Sequence, residues 1–300
     1  MHGGRGLVSL LGLLALVWAS TAGAAAPRTI DVGATPMSLA YGAGSVWAAN
    51  KDGGTVSRID PRTDRVVATV RVGGQPWGLA FDGRSLWVGN YAAGTISRID
   101  PRTNRVAARV RVGTAPIALA YGRGALWVAD YSTPALFRVG PRAGKVAARY
   151  PIPGAHLDVL PRPSGIWLAS ESGELTVFDP GRRRVTHRLT GGADTTFVEA
   201  CGAALWATNF EGTVVWRVDE RRAAVTKRVR VGRRAAGIAC ARGSVWVASY
   251  ETNRLLRITS GGRVAARLQT GPSPTDVLAA AGSVWVANSA SGSVTRFPLP

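Results

Sequence analysis

The sequence predicts an all-β fold, a seven-bladed β-propeller of four-stranded antiparallel blades whose ring is closed by the N-terminal strand completing the last blade. Three observations carry this expectation. Trp47, Trp87, Trp127, Trp167, Trp206, Trp246 and Trp285 are spaced by 40, 40, 40, 39, 40 and 39 residues, the period of propeller blades. Short apolar and β-branched runs alternate with Gly, Pro, Asn and Asp turns, and long helix-period stretches are absent. The two ends of the chain also read as complementary fragments of one blade. Arg28-Thr-Ile-Asp-Val-Gly33 resembles the fourth-strand text Arg109-Val-Arg-Val-Gly113, and Gly292-Ser-Val-Thr-Arg-Phe297 is a third strand with no successor.

One copy of the repeat shows the elements in order. Pro76 to Phe81 forms the first strand, and a turn at Asp82-Gly83 leads to the second, Ser85 to Gly89. Asn90-Tyr-Ala-Ala-Gly94 turns into the third, Thr95 to Ile99, and Asp100-Pro-Arg-Thr-Asn104 turns into the fourth, Arg105 to Val112. Connections this short require antiparallel neighbours. Leu79-Ala80-Phe81 and Leu86-Trp87-Val88 are apolar on both sides, so the inner strands are expected to be covered on both faces, as radially stacked blades provide. The periodic tryptophans lie mid-strand and are therefore read as inter-blade core rather than as a stacking surface for ligands. The Asp-Pro-Arg-Thr turns at Asp60 and Asp100 are ordinary turn chemistry and not acidic sites.

Residues 1–24 read as a secretory signal peptide. One positive charge precedes an apolar run from Leu7 to Trp18, followed by the small-residue site Ala22-Gly23-Ala24. The run is short for a bilayer span, which takes roughly 20 residues, and retention as an anchor is the alternative to cleavage. The expectation is a secreted, periplasmic or extracellular monomer in which residues 25–300 form one domain. Cys201 and Cys240, the two cysteines, fall near the ends of the first strands of adjacent blades five and six. In an exported chain they are a candidate disulfide pinning those blades, or two free thiols.

Lys and Arg total 37 against 18 Asp and Glu, a net charge of +19. Arg58, Arg98, Arg138, Arg217, Arg257 and Arg296 share one slot on the third strand, and many other arginines fall on fourth strands and the turns before them. This distribution predicts a basic girdle around the rim, where edge charge discourages sheet-to-sheet pairing. It favours loose association with an anionic envelope surface. No nucleic-acid module accompanies it, so specific nucleic-acid binding is not expected.

The text Ser283-Val-Trp-Val-Ala-Asn288, Gly94-Thr-Ile-Ser-Arg-Ile-Asp100, Thr103-Asn-Arg-Val106 and Val72-Gly-Gly-Gln-Pro76 resembles the YVTN (YncE-like) β-propeller repeats, with Trp where that family usually has Tyr. More loosely, the chain is similar to the streptogramin (virginiamycin B) lyase and gluconolactonase-like propellers. The YVTN resemblance spans essentially the whole mature chain and specifies a blade far better than an activity. The lyase resemblance implies a divalent metal and an acid–base histidine, for which His156 is the candidate; His187 lies on an outer strand. The gluconolactonase resemblance implies acidic ligands for Mg²⁺ or Ca²⁺, with Glu171, Glu211, Glu251, Asp158 and Asp276 as candidates.

Residues that break the repeat gather where the second-to-third loops and the starts of the first strands emerge on one face. Trp77, Tyr91, Tyr131, Asp158, Phe210 and Tyr250 are the candidate ligand-binding residues, with Asp130, His156, Glu171, Glu211, Glu251 and Asp276 beside them. They predict an acidic, aromatic-edged mouth over the central channel. No nucleophile elbow, metalloprotease helix motif, phosphate loop or paired-Cys zinc pattern is present. The expected function is therefore a non-enzymatic scaffold for a small molecule or protein, and the alternative is a metal-dependent lyase or lactonase acting at the channel mouth.

Overall fold

A computed structural model describes residues 26–142, 144–190 and 194–299; the predicted signal peptide lies outside the described residues. Seven four-stranded antiparallel sheets are arranged as blades. In blade two the strands are Pro76–Phe81, Leu86–Asn90, Thr95–Asp100 and Arg105–Arg111, within a residue of the boundaries read from sequence. Blade seven takes three strands from the C-terminal region, Pro274–Ala280, Ser283–Asn288 and Ser293–Pro298, and its fourth from Arg28–Asp31. Arg28 pairs with Arg296 and Asp31 with Ser293, antiparallel. The first and last segments of the chain thus close the ring. No helix among the described residues is long and apolar enough to cross a membrane.

The core is a set of wedges between neighbouring blades. Ala40, Trp47, Val56 and Val70 of blade one, for example, pack against Leu79, Leu86, Val88 and Ile99 of blade two. Second strands are buried along their whole length, as in Ser45–Asn50 and Ser283–Asn288. The outermost Arg105–Arg111 alternates exposed and half-buried residues, the pattern of a sheet edge facing water. All seven periodic tryptophans are buried, at 0–6 % exposure.

Local polar contacts fix these rings. Trp47, Trp127 and Trp285 donate their indole N–H to the carbonyls of Gly42, Gly122 and Ala280 at 3.1 Å. Trp87 donates to the Asp82 carboxylate at 2.8 Å. The third-strand arginines have a role beyond the girdle expected of them. Arg58, Arg98, Arg257 and Arg296 lie over the faces of Trp47, Trp87, Trp246 and Trp285, 5.1–6.0 Å from the centroids. Two reach the next blade as well: Arg58 Nη1 donates to Pro101 O and Asn104 Oδ1, and Arg296 Nη1 to Asp64 Oδ1. The fourth-strand arginines Arg105, Arg109 and Arg111 are exposed, as a charged rim requires.

Two covalent and steric details tighten the ring. Cys201 and Cys240 form a disulfide, Cα–Cα 5.3 Å, joining the innermost strands of blades five and six. At Gly78 the innermost strands of blades two and three approach so closely that a Cβ would lie 2.1 Å from the Ile117 carbonyl oxygen. The turns after the third strands also behave as read: Asp60 Oδ1 accepts from Arg62 N and Asp100 Oδ1 from Arg102 N.

Truncating a wedge tryptophan removes apolar contacts on both sides and leaves a cavity. Trp87→Ala is expected to lower the unfolding free energy by about 3–5 kcal/mol, measured by chemical denaturation. Trp77→Ala, at a half-buried position, is expected to cost clearly less.

Candidate functional site

The channel mouth is built from two repeated positions whose backbone is constant and whose side chains are not. The first residue after each second strand donates its N–H to the carbonyl of the residue preceding the innermost strand. These bonds run from Lys51 to Thr35, Tyr91 to Gln75, Tyr131 to Ala115, Glu171 to Ala155, Phe210 to Asp194, Tyr250 to Arg234 and Ser289 to Ser273, at 2.9–3.0 Å. Each blade therefore presents one side chain at the same place. The second position is the second residue of each innermost strand. A register shift falls there in every blade, between Pro76 and Leu79 in blade two and between His156 and Asp158 in blade four. Such bulges re-aim side chains, and here they serve Met37, Trp77, Ile117, Leu157, Thr196, Ala236 and Thr275.

All of these positions except Lys51 line a cavity of about 540 Å³, joined by Asp194 and Phe197 from neighbouring positions; Trp77, Tyr91, Tyr131, Phe197, Phe210 and Tyr250 are among its walls, and Glu171 and Asp194 are its acids. That volume falls within the roughly 300–1,000 Å³ of small-molecule sites. Trp77 and Tyr91 meet tilted, 5.5 Å between centroids, and Phe210 and Tyr250 meet edge-on at 5.6 Å. Tyr131 Oη donates to Glu171 Oε2 at 2.9 Å, and that bond holds the tyrosine pKa above its usual value. Burial, followed by repulsion from Glu171 and Glu211, pushes Asp194 up to about 6.

Five of the expected ligand-binding residues, Trp77, Tyr91, Tyr131, Phe210 and Tyr250, thus converge on one cavity. The sixth, Asp158, does not line it. Asp158 and Asp276 lie deeper, in the central channel, because they are the third residues of their strands. There they link blades: Asp158 accepts from Val159 N and Val198 N, and Asp276 from Val277 N and Leu39 N, at 2.7–2.9 Å. The loop glutamates are not equivalent either. All three are exposed, but Glu171 holds the first loop position and lines the cavity, whereas Glu211 and Glu251 stand one residue farther along and outside its lining. Asp130 is structural, accepting from Thr114 N and Ala115 N at 2.9 and 2.8 Å.

His156 is buried outside the lining, with neither ring nitrogen hydrogen-bonded among the described residues. The divalent ion implied by the lyase and gluconolactonase resemblances does not fit the residues present. No group of three or more His, Cys, Asp or Glu among the described residues is placed to hold a metal.

Sequence reasoning missed Asp194, Phe197 and Glu199. Phe197 stands where the other innermost strands carry Ser38, Gly78, Ala118, Asp158, Gly237 and Asp276, a departure visible in the repeat itself. Asp194 precedes its strand at a backbone position of φ 53°, shared by Thr35, Gln75, Arg234 and Ser273. It reads as a turn residue until the loop is folded over the channel.

No protein-family model matches the chain, and no curated protein matches it. Solved structures do match in fold. Streptogramin B lyase superposes with a TM-score of 0.79 at 14% identity over 92% of this chain and 98% of that one. The hydrazine synthase of Kuenenia stuttgartiensis gives 0.76 at 16% over 87% and 95%. The Cps50 (Swd1) β-propeller domain of Myceliophthora thermophila gives 0.77 at 13% over 92% and 100%. At these identities the likeness establishes the β-propeller fold.

Three channel carboxyls give the site a measurable electrostatic signature. Burial pushes Asp158 up to about 6, and Glu199 and Asp276 up to about 7. Each binds its proton more tightly in the folded chain, so the stability it contributes is present at low pH and lost as pH rises through those values. Burial lowers the His156 pKa, which removes stability as pH falls through 6.5 and below, so the carboxyls are best isolated above that. Between pH 6.5 and about 8 the protein is expected to lose on the order of 1 kcal/mol, a few degrees in Tm. Asp276→Asn should flatten that slope in a thermal-melt series.

Proposed function

We propose that this chain is an exported β-propeller of the YVTN type that binds a small apolar or aromatic ligand at its channel mouth without transforming it. The observation that carries this reading is the convergence of Trp77, Tyr91, Tyr131, Phe210 and Tyr250 on one cavity of about 540 Å³. These rings are half-buried. A half-buried aromatic contributes less to the fold than a core residue and keeps a face free for a partner. Backbone hydrogen bonds place the loop residue of every blade at the mouth, and preformed walls reduce the ordering cost of binding. The Cys201–Cys240 disulfide and the apolar Leu7 to Trp18 run support residence in an oxidising, exported compartment; the exposed arginines of the outer strands support loose contact with an anionic envelope surface there.

Binding is tested with a panel of small aromatic and aliphatic compounds followed by calorimetry. Members that bind wild-type protein should lose about tenfold or more in affinity with Trp77→Ala or Tyr250→Ala, the order expected for removing one buried aromatic contact. Binders indifferent to both substitutions would place the site elsewhere. Export is checked by intact mass of the protein recovered outside the cytoplasm, which should begin after Ala24; a retained Leu7 to Trp18 segment would show an anchor instead.

A further inference from the structure

The acids of the mouth lack the counter-charge that this chain supplies in abundance. The protein carries 37 Lys and Arg against 18 Asp and Glu, yet no ion pair among the described residues involves Glu171, Asp194 or Glu211. Glu171 receives a neutral donor, the Tyr131 hydroxyl. Asp194 Oδ1 is sealed from solvent and has no hydrogen-bond partner among the described residues. Two cations sit on aromatic faces at the mouth without neutralising these acids. Lys51 lies 5.3 Å from the Trp77 centroid and pairs with Asp52; Arg234 lies 5.6 Å from the Phe210 centroid.

We infer that the ligand taken at this mouth is an organic cation, an amine or quaternary ammonium group on an apolar or aromatic body. The inference rests on the reading of the mouth as a ligand site and names the chemical class it takes. A neutral ligand filling the cavity would displace water from the lining carboxylates Glu171 and Asp194 and give them no counter-charge, which is costly for charged groups. An anion would face Glu171 and Asp194 directly. A bare metal ion would find no ligand set and would leave about 540 Å³ of largely aromatic cavity unfilled. An ammonium group meets all three conditions. Its charge answers the two carboxyls, its attached methyl or methylene groups pack on π faces, and its body occupies the rest.

Benzyltrimethylammonium and its uncharged carbon isostere, neopentylbenzene, separate charge from shape. Both are titrated into the full-length mature protein and followed by tryptophan fluorescence and ligand-observed NMR. The cation is expected to bind about tenfold or more tightly than the isostere, the scale of a desolvated cation–π and ion-pair contribution. Glu171→Gln and Asp194→Asn should each weaken the cation about three- to tenfold and leave the isostere unchanged. Trp77→Ala should weaken both. Equal affinity for the two probes, or cation affinity unmoved by the two charge-removing substitutions, overturns the inference and leaves the mouth a neutral-ligand site. Failure of the cation to bind up to the millimolar range overturns it too. In that case Trp77-dependent binding of any neutral compound preserves the ligand-site reading, and its absence ends both.

Discussion

The packing of one tryptophan per blade into the wedge between neighbouring sheets is the contact on which the rest of this molecule depends. Each indole lies on a fully buried strand. In several blades its N–H is held by the turn of its own hairpin and its face is covered by an arginine from the third strand. Where that arginine also reaches the following blade, as Arg58 and Arg296 do, apolar burial and polar register act through one side chain. The arrangement is cooperative around the ring. A wedge needs both of its blades, and the last wedges need the terminal strand Arg28–Asp31 on Ser293–Pro298.

Most of this was legible in the sequence because it repeats. The Trp spacing, the Asp-Pro turns and the orphaned strands at the two ends each recur or complement one another, so a single copy explains the others. The mouth was only partly legible, for the opposite reason. Trp77, Tyr91, Tyr131, Phe210 and Tyr250 stand out because they break the repeat next to turn text that recurs from blade to blade. Which neighbours point inward depends on offsets of one residue. Glu171 and Glu211 look alike in sequence, but the bond from the first loop residue to the strand entry sends only the former into the cavity. The innermost-strand bulge similarly drops Asp158 and Asp276 below the mouth, where they tie blade to blade. The third-strand arginines looked like rim charge because nothing in a strand pattern shows that a guanidinium folds back over an indole.

The molecule also separates its charge. Its excess of arginine is spread over outer strands and blade junctions, while uncompensated carboxyls collect along the axis: Glu171 and Asp194 at the mouth, then Asp158, Glu199 and Asp276 within the channel. The basic rim does little for these acids, since charges separated by more than roughly 10 Å are largely screened by salt. Locally the burial dominates, and this is why the channel carboxyls titrate near neutrality rather than at ordinary carboxylate values.

The division between wedge and mouth explains why a shared fold says little here about chemistry. The wedge residues answer to packing, and any sequence that fills the wedges and closes the ring reproduces the architecture, as structures only 13–16% identical do. The fourteen mouth positions, two per blade, hang on backbone bonds and bulges that do not depend on what the side chain is. Lysine, tyrosine, glutamate, phenylalanine and serine all occupy the first of them in this one chain. Specificity can therefore change at those positions without disturbing the wedges, so the identity of a ligand has to be argued from the particular rings and carboxyls that this chain places around its own axis.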